Sequence, residues 1–237
     1  MAEALFIRQL LAGRDFARAD PAAGQMANFV YLIGDPAARE CVVVDPAWDV
    51  AGIVETVEAA GYKLVGALAT HYHPDHVGGS MFGLRVEGLA RLLELRGVKT
   101  WVNGEEADGV KQVTGLSDSD LVKVRGGDSM RVGAIEVKFL HTPGHTPGSQ
   151  CFLAGNCLVA GDTLFVKGCG RVDLPGGDPA KMFESLGLLA SLPDDTVLYP
   201  GHDYADRPRS TIADERKSNP YLRLRSLEDW RHLMEGA

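Results

Sequence analysis

His71-Tyr72-His73-Pro74-Asp75-His76 is the stretch on which the reading of this chain turns. It follows Lys63-Leu64-Val65-Gly66-Ala67-Leu68-Ala69-Thr70, an apolar run that predicts a buried strand, and it precedes Val77-Gly78-Gly79. Three imidazoles and a carboxylate therefore fall in a turn at the C-terminal end of a strand, where α/β folds commonly place their chemistry. His71 and His73 are two apart, so a locally extended turn points both rings to one side. The chain bends at Pro74, and Asp75 and His76 then face a second point nearby. This predicts places for two metal ions, because zinc and iron favour imidazole and carboxylate ligands. A surface turn that is merely His-rich accounts poorly for such density, since more ligand-type residues recur downstream.

Upstream, residues 4–10 and 27–33 read as strands, the second closed by Gly34-Asp35-Pro36 as a turn. Cys41-Val42-Val43-Val44-Asp45-Pro46 is a third strand stopped by its proline, and the short connection predicts an antiparallel start to a sheet. From Asp49 to Ala60, Val50, Ile53, Val54 and Val57 recur at helical spacing, and Gly61 terminates the helix. Downstream, residues 86–96 carry Val86, Leu89, Leu92 and Leu93 on one face, which predicts a packing helix. A strand at 100–102, a short helix at 105–113, and strands at 121–125 and 134–140 around Gly126-Gly127-Asp128 come next. The last of these runs into His141-Thr142-Pro143-Gly144-His145-Thr146-Pro147-Gly148, whose prolines and glycines require a rigid loop. Residues 149–154 and 157–160 predict a hairpin across Gly155-Asn156, leading to Gly161-Asp162-Thr163-Leu164-Phe165. A Gly-rich loop over 168–178 ends at Asp178, an N-cap with Pro179 at N1 for a helix through Leu192. A strand at 196–199 delivers Pro200-Gly201-His202-Asp203-Tyr204, and a helix near 226–235 closes the chain. No linker or low-complexity segment interrupts this alternation, which predicts one domain over 1–237 and, in fold class, α/β with two sheets covered by helices.

Composition narrows the function. With 237 residues, 45% hydrophobic and 24% charged, the chain can bury an ordinary core. A net charge of -8 with both signs scattered argues against a nucleic-acid partner, which needs a basic footprint. No apolar run approaches the ~18 residues of a membrane span, and Met1 to Asp20 lacks the apolar core of a signal peptide. Cys41, Cys151, Cys157 and Cys169 form no CxxC pair, so a reduced cytoplasm is the expected location. Cys41 and Cys151 read as inert core residues, Cys169 as support for the Gly-rich loop. Oligomeric state is not legible, and a homodimer is compatible with the chain.

The loop-borne candidates complete a ligand set: His71, His73 and His145 for one metal, Asp75, His76 and His202 for a second, and Asp162 placed to bridge. Each follows a strand in a turn stiffened by Gly or Pro, which holds ligands without relying on flexible loops. His141, four residues before His145, reads as a surface or supporting residue, and His232 on the terminal helix as solvated.

The HxHxDH cluster, followed by Gly144-His145-Thr146, Gly161-Asp162-Thr163 and Gly201-His202-Asp203 in that order, resembles the metallo-β-lactamase-fold superfamily over nearly the whole chain. The resemblance implies an αββα four-layer sandwich of two mixed sheets, with the metals at one edge between them. Gly161-Asp162-Thr163-Leu164-Phe165 and Gly168-Cys169-Gly170-Arg171 resemble the glyoxalase II and persulfide dioxygenase branches. For a hydrolase, two divalent ions (zinc, or iron or manganese) about 3.5–4 Å apart share a hydroxide whose pKa falls towards ~7. Asp75 would then bind metal and orient the nucleophile. A thioester leaving group demands no strong acid. In glyoxalase II a basic residue at the place of Arg171 and a tyrosine at the place of Tyr204 help to hold glutathione, so the implied substrate is a small molecule such as a glutathione conjugate. Here Val172-Asp173 replaces the usual aromatic and glutamate, and the 33 residues after Tyr204 are too few for the helical domain of the longer enzymes; another thioester, ester or lactone stays open. The rival is a persulfide dioxygenase with one Fe(II) on His71, His145 and Asp162. Asn219-Pro220 resembles that branch, whereas Met26-Ala27-Asn28-Phe29-Val30-Tyr31 departs from its Ser-Thr-Tyr-Thr-Tyr segment and favours the hydrolase.

Overall fold

The run Phe29–Asp35 is buried along its whole length. Its side chains are dealt alternately to two cores: Phe29, Tyr31 and Ile33 to one, Val30 and Leu32 to the other. Cys41 to Val44 divide in the same way. A strand covered on both faces needs an unbroken apolar run, which is what the sequence supplies. Each fully buried aliphatic or aromatic side chain contributes ~1.5–3 kcal/mol over leaving it in water.

The computed structural model describes residues 5–235; Ala4, where the first strand was expected to begin, lies outside them. The first half contains β1 (Phe6–Leu11), α1 (Pro21–Met26), β2 (Phe29–Asp35), β3 (Glu40–Val44), α2 (Val50–Ala59), β4 (Lys63–Leu68) and the one-turn α3 (Pro74–Val77). It continues with the hairpin β5 (Gly79–Met81) and β6 (Leu84–Val86), then α4 (Leu89–Arg96), β7 (Thr100–Asn103), α5 (Ala107–Thr114) and β8 (Leu121–Val124). The second half contains β9 (Ser129–Val132), β10 (Ile135–His141), β11 (Gln150–Ala154), β12 (Cys157–Gly161), and the short pair β13 (Leu164–Phe165) and β14 (Gly168–Cys169). It closes with α6 (Pro179–Ala190), β15 (Val197–Pro200), β16 (Ser210–Thr211), α7 (Ile212–Ser218), α8 (Pro220–Arg223) and α9 (Leu227–Glu235).

Two mixed sheets result, ordered β1-β2-β3-β4-β7-β8 and β16-β15-β12-β11-β10-β9. In the first, β1 to β3 pair antiparallel and β3-β4-β7-β8 parallel. In the second, β12 and β15 are parallel and the remaining pairs antiparallel. The inner faces meet in one core, with Tyr31, Val44 and Leu68 against Phe139, Phe152 and Val159. Helices α2, α4 and α5 cover the outer face of the first sheet through Ile53, Leu89, Leu92 and Val110. Met182 and Leu186 of α6, Ile212 of α7 and Trp230 of α9 cover the second. This is the αββα sandwich. Among the described residues no helix is long and apolar enough to cross a membrane.

Several boundaries differ from the sequence expectation for local reasons. The helix expected over 86–96 starts at Leu89, because Val86 pairs with Gly79 in the hairpin. Gly88 then passes so close to Val77 that a Cβ would lie 2.1 Å from its carbonyl oxygen. Gly34 and Asp35 stay in β2; the Asp35 carboxylate accepts from the backbone N–H of Ala37 and, across to the second sheet, of Ala134 (2.7 and 2.8 Å). The strands flanking Gly126-Gly127-Asp128 lie in different sheets, so that turn is the crossover between the halves. α1, α7 and α8 went unread, being too short to display a 3.6-residue period, although Asp20 caps α1 by accepting from Ala22 and Ala23.

The two sheets are sewn together at one edge. Phe29 N–H donates to Gly201 O (2.7 Å) and Asp203 N–H to Ala27 O (2.9 Å). Tyr31 hydroxyl donates across the interface to Pro200 O at 2.5 Å. The loops after β4, β10, β12 and β15 all open on this edge.

Candidate metal centre

β4 delivers His71 into the interior, where it is 1% exposed. His73 follows as the N-cap of α3 with Pro74 at N1, and the single helical turn sets Asp75 and His76 inward. The rigid loop after β10 brings His145 back: its ring centroid lies 4.8 Å from that of His71 and 4.7 Å from that of His73. His145 Nε2 is 2.9 Å from His73 Nδ1. Beside this trio, Asp75 Oδ2, His76 Nε2 and His202 Nε2 stand 3.2–3.5 Å apart. Asp162 lies between the groups, with one oxygen 3.4 Å from His76 Nε2 and the other 3.3 Å from His202 Nε2 and 3.7 Å from His145 Nε2. Six of the residues expected as ligands fall in the two groups expected, and Asp162 stands within 3.3–3.7 Å of histidines from both.

The ring orientations follow from the partners behind them. His145 Nδ1–H donates to Arg171 O (2.8 Å) and His202 Nδ1–H to Met26 O (2.7 Å), since a carbonyl can only accept. His76 Nδ1–H donates to Asp45 Oδ2 (3.0 Å). Thr70 hydroxyl donates to the same carboxylate (2.6 Å), which leaves its oxygen to accept from His71 Nδ1–H (2.9 Å). Each of the four rings therefore turns its Nε2 into the site, the arrangement by which proteins orient metal-binding histidines. Asp45 could itself join His71 and His76 as a ligand group, but its oxygens are already engaged by the Thr70 N–H, the Thr70 hydroxyl and His76. It supports rather than binds.

Two atoms test whether a cation fits. His71 Nε2 and Asp162 Oδ1 are enclosed and satisfied by no hydrogen bond, whereas buried polar atoms normally have partners. Five imidazoles and two carboxylates converging there are the donor set of zinc or iron. Burial, reinforced by neighbouring histidines, pushes His71 well below its ordinary pKa and His73 down to about 4, so both offer neutral lone pairs near pH 7. Burial opposes ionisation of Asp75 and Asp162, yet the facing His76 and His202 hold both carboxylates below their usual range. Burial likewise opposes protonation of His76 and His202, and there the carboxylates win, led by Asp162.

Three residues that sequence reading missed shape the site. Asn28 donates to Asp75 Oδ2 (3.0 Å), and Trp48 Nε1–H donates to Asn28 Oδ1 (2.9 Å). Glu106, 1% exposed, accepts from the backbone N–H of Tyr72 (2.8 Å) and of Gly148 (2.7 Å), tying the two histidine loops together. Glycine is required at Gly201, where a Cβ would lie 2.2 Å from Asp162 Oδ1. The expected substrate residues are placed unequally. Tyr204 stacks on His202 with centroids 4.6 Å apart and is 59% exposed. The Arg171 guanidinium pairs with Asp173 (2.7 Å), and its backbone carbonyl is what holds His145. His141 stands apart from the ligands and bonds Pro147 O through Nε2 (3.0 Å), bracing the loop. Cys169 packs beneath the Gly-rich loop, and burial pushes its thiol up to about 12.

The family profile described as the metallo-beta-lactamase superfamily matches residues 23–202, a span that carries all seven candidate ligands. The chain belongs to that superfamily. It is 33% identical over 213 residues to "Persulfide dioxygenase ETHE1, mitochondrial" of Homo sapiens, covering 87% of this chain and 76% of that protein. It is 40% identical over 179 residues to "Hydroxyacylglutathione hydrolase" of Rhodopseudomonas palustris, covering 75% of this chain and 63% of that one. The crystal structure of ETHE1 from Myxococcus xanthus superposes with a TM-score of 0.79 at 32% identity, covering 97% of this chain and 90% of that one. Relatives in this superfamily thus carry names from two reaction classes.

Proposed function

We propose that this chain, as a single domain, is a metallohydrolase that uses two divalent cations, zinc or alternatively iron or manganese, to cleave a thioester such as a glutathione thioester, or a related ester or lactone. The observation that carries the reading is the second ligand group: Asp75, His76 and His202 converge within 3.5 Å, and both histidines are fixed from behind. A one-iron persulfide dioxygenase is similar enough to retain these residues as well, so occupancy of the group by a second cation is what separates the two readings. The similarity to the Rhodopseudomonas hydrolase supports the same class. When bound, the cations would supply Lewis acidity towards an acyl carbonyl and lower the pKa of water.

The chain's own residues do the rest. His71, His73 and His145 would hold one cation, Asp75, His76 and His202 the other, and Asp162 would span both. Asp75, ionised and hydrogen-bonded by Asn28, has one carboxylate oxygen directed at the second group and would orient the attacking water. Tyr204, exposed at the rim against His202 and Phe165, would offer its hydroxyl to a glutathione moiety. Arg171, paired with Asp173 through Nε and one Nη, would contact the same moiety with its remaining N–H donors. The free thiols of the described cysteines suit a cytoplasmic location.

A one-iron persulfide dioxygenase on His71, His145 and Asp162 is the second reading. It is favoured by the similarity to ETHE1 and by Asn219, whose buried amide donates to Phe165 O and Gly168 O and so holds the Gly-rich loop. Elemental analysis of protein produced without added metal tests the choice. About two zinc per chain, with turnover of thioester or lactone lost in Asp162→Ala and His145→Ala, supports the hydrolase. A single iron with oxygen uptake on glutathione persulfide overturns it.

A further inference from the structure

One corner of the second ligand group is taken by an atom that cannot bind a cation. Asn28 Nδ2 lies 3.0 Å from Asp75 Oδ2, 3.3 Å from His76 Nε2 and 3.5 Å from His202 Nε2. Those three atoms are themselves 3.2–3.5 Å apart, so the four mark a nearly regular tetrahedron. A tetrahedral zinc with ligands at ~2.0–2.1 Å has ligand-to-ligand edges of about 3.3–3.4 Å. The fourth corner therefore has the dimensions of a coordination position, yet it holds an amide NH₂, which donates and has no lone pair to give.

The amide is not free to turn its oxygen inward. Asn28 Oδ1 accepts from Trp48 Nε1–H, and an indole can only donate, so a flip would set NH₂ against N–H. Both residues are buried. Trp48 also holds a left-handed backbone, φ 77°, a costly conformation for a bulky residue that persists only where its surroundings impose it. Its backbone N–H is pinned by Glu87 O (3.0 Å). The strand entering the site, the loop after β3 and the end of the β5–β6 hairpin thus cooperate to present one N–H donor.

We infer that the Trp48–Asn28 pair is a gate on the second metal position. With the amide in place, a cation at the centre of the tetrahedron would lie about 2.0 Å from Nδ2, inside any non-bonded contact. The second cation must either settle on the far side of the ligand triangle or displace the amide from Asp75. Among the described residues the His71–His73–His145 group has no such competitor, and it fills first. Loading is ordered, and at low metal supply the chain carries one cation. The inference rests on the reading that both groups bind metal.

Metal-free protein titrated with zinc against a chromophoric chelator tests it, with folding checked by circular dichroism. The wild type should take two equivalents, the second about tenfold or more weaker than the first. Asn28→Asp, nearly isosteric, puts a carboxylate oxygen at the corner and should tighten the second equivalent about tenfold without moving the first. Trp48→Phe releases the amide to turn and should tighten the second equivalent to a smaller extent. A second equivalent weakened by Asn28→Asp and by Asn28→Ala would overturn the gate, because the amide would then be helping the site. Two equivalents indifferent to positions 28 and 48 would overturn it too, while leaving the two-cation reading intact. A single equivalent in every protein, Asn28→Asp included, would overturn both.

Discussion

Asp45→Asn alters one side-chain atom of a buried network, and its effect on metal affinity should exceed its effect on the fold. In the wild type, Asp45 Oδ1 accepts from Thr70 N–H, and Oδ2 accepts from the Thr70 hydroxyl and His76 Nδ1–H. Asparagine fills the same volume and tolerates the left-handed backbone at this position, φ 51°. With its oxygen kept on Thr70 N–H, its NH₂ faces His76 Nδ1. The ring answers by giving up the Nδ1 proton and keeping one on Nε2, where it faces Asp75 and His202. To bind a cation His76 must return to the Nδ1–H form and set donor against donor. One unsatisfied buried donor costs ~1–3 kcal/mol, and at about 1.4 kcal/mol per tenfold that is roughly one to two decades of affinity. Loss of a partner that orients a ligand typically costs about 10–100-fold, in agreement. The metal-free fold loses the charged acceptor and the acceptor of the Thr70 hydroxyl, together ~1–2 kcal/mol, or about 2–8 °C in Tm. Competition titration with zinc, beside thermal melts of the metal-free protein, separates the two effects. Second-equivalent affinity within about twofold of wild type would refute the claim that Asp45 sets the His76 tautomer.

Other perturbations probe different joints. Gly201→Ala drives a methyl into Asp162, so metal content measured by elemental analysis should fall while secondary structure persists; retention of full content would show that Asp162 is not needed. Glu106→Gln sets an amide NH₂ against the N–H of Tyr72 or Gly148 and should lower Tm by on the order of 5 °C, read by calorimetry. Asp35 has a pKa held below the ordinary 3.8 by N–H bonds from Ala134, Ala37 and Ala38. Its contribution is therefore complete above the unfolded value and lost as pH falls through the lower folded one. Asp35→Asn should be less stable than wild type near pH 6, with the gap narrowing as pH falls below the ordinary 3.8; a constant gap would contradict the assignment. Cys169→Ala should keep activity, because the thiol is packed against the Gly-rich loop and not directed at the ligands; lost turnover with intact folding would give it a direct role.

The candidate ligands, which the fold brings together, stood out in the sequence because their chemistry is rare and their placement local. Three histidines and an aspartate in one turn, each later candidate following an apolar run, and Gly or Pro beside each loop leave little else to read. The all-apolar runs at 29–33 and 41–44 likewise disclosed strands buried on both faces. The supports were not legible because they act across the fold. Asp45 reaches His76 from 31 positions away and Asn28 reaches Asp75 from 47, and no local pattern marks either contact. Glu106 sits in a short amphipathic segment where an acid ordinarily faces water, and only the tertiary fold turns it inward. The Gly126–Asp128 turn looks like a hairpin locally; that it changes sheets is settled by the pairing of β8 with the distant β7, while β9 turns back on β10 instead.

That turn divides the ligands as well as the sheets. His71, His73, Asp75 and His76 precede it, and His145, Asp162 and His202 follow it, so neither half owns a complete coordination set. Any ion bound across both is also a clasp between two pieces of chain, and its binding energy counts towards their docking. The fold thereby has the design of a two-part reporter: fragments cut at the exposed Gly127 would find each other through the shared inner core, and the ion would decide how long they stay together.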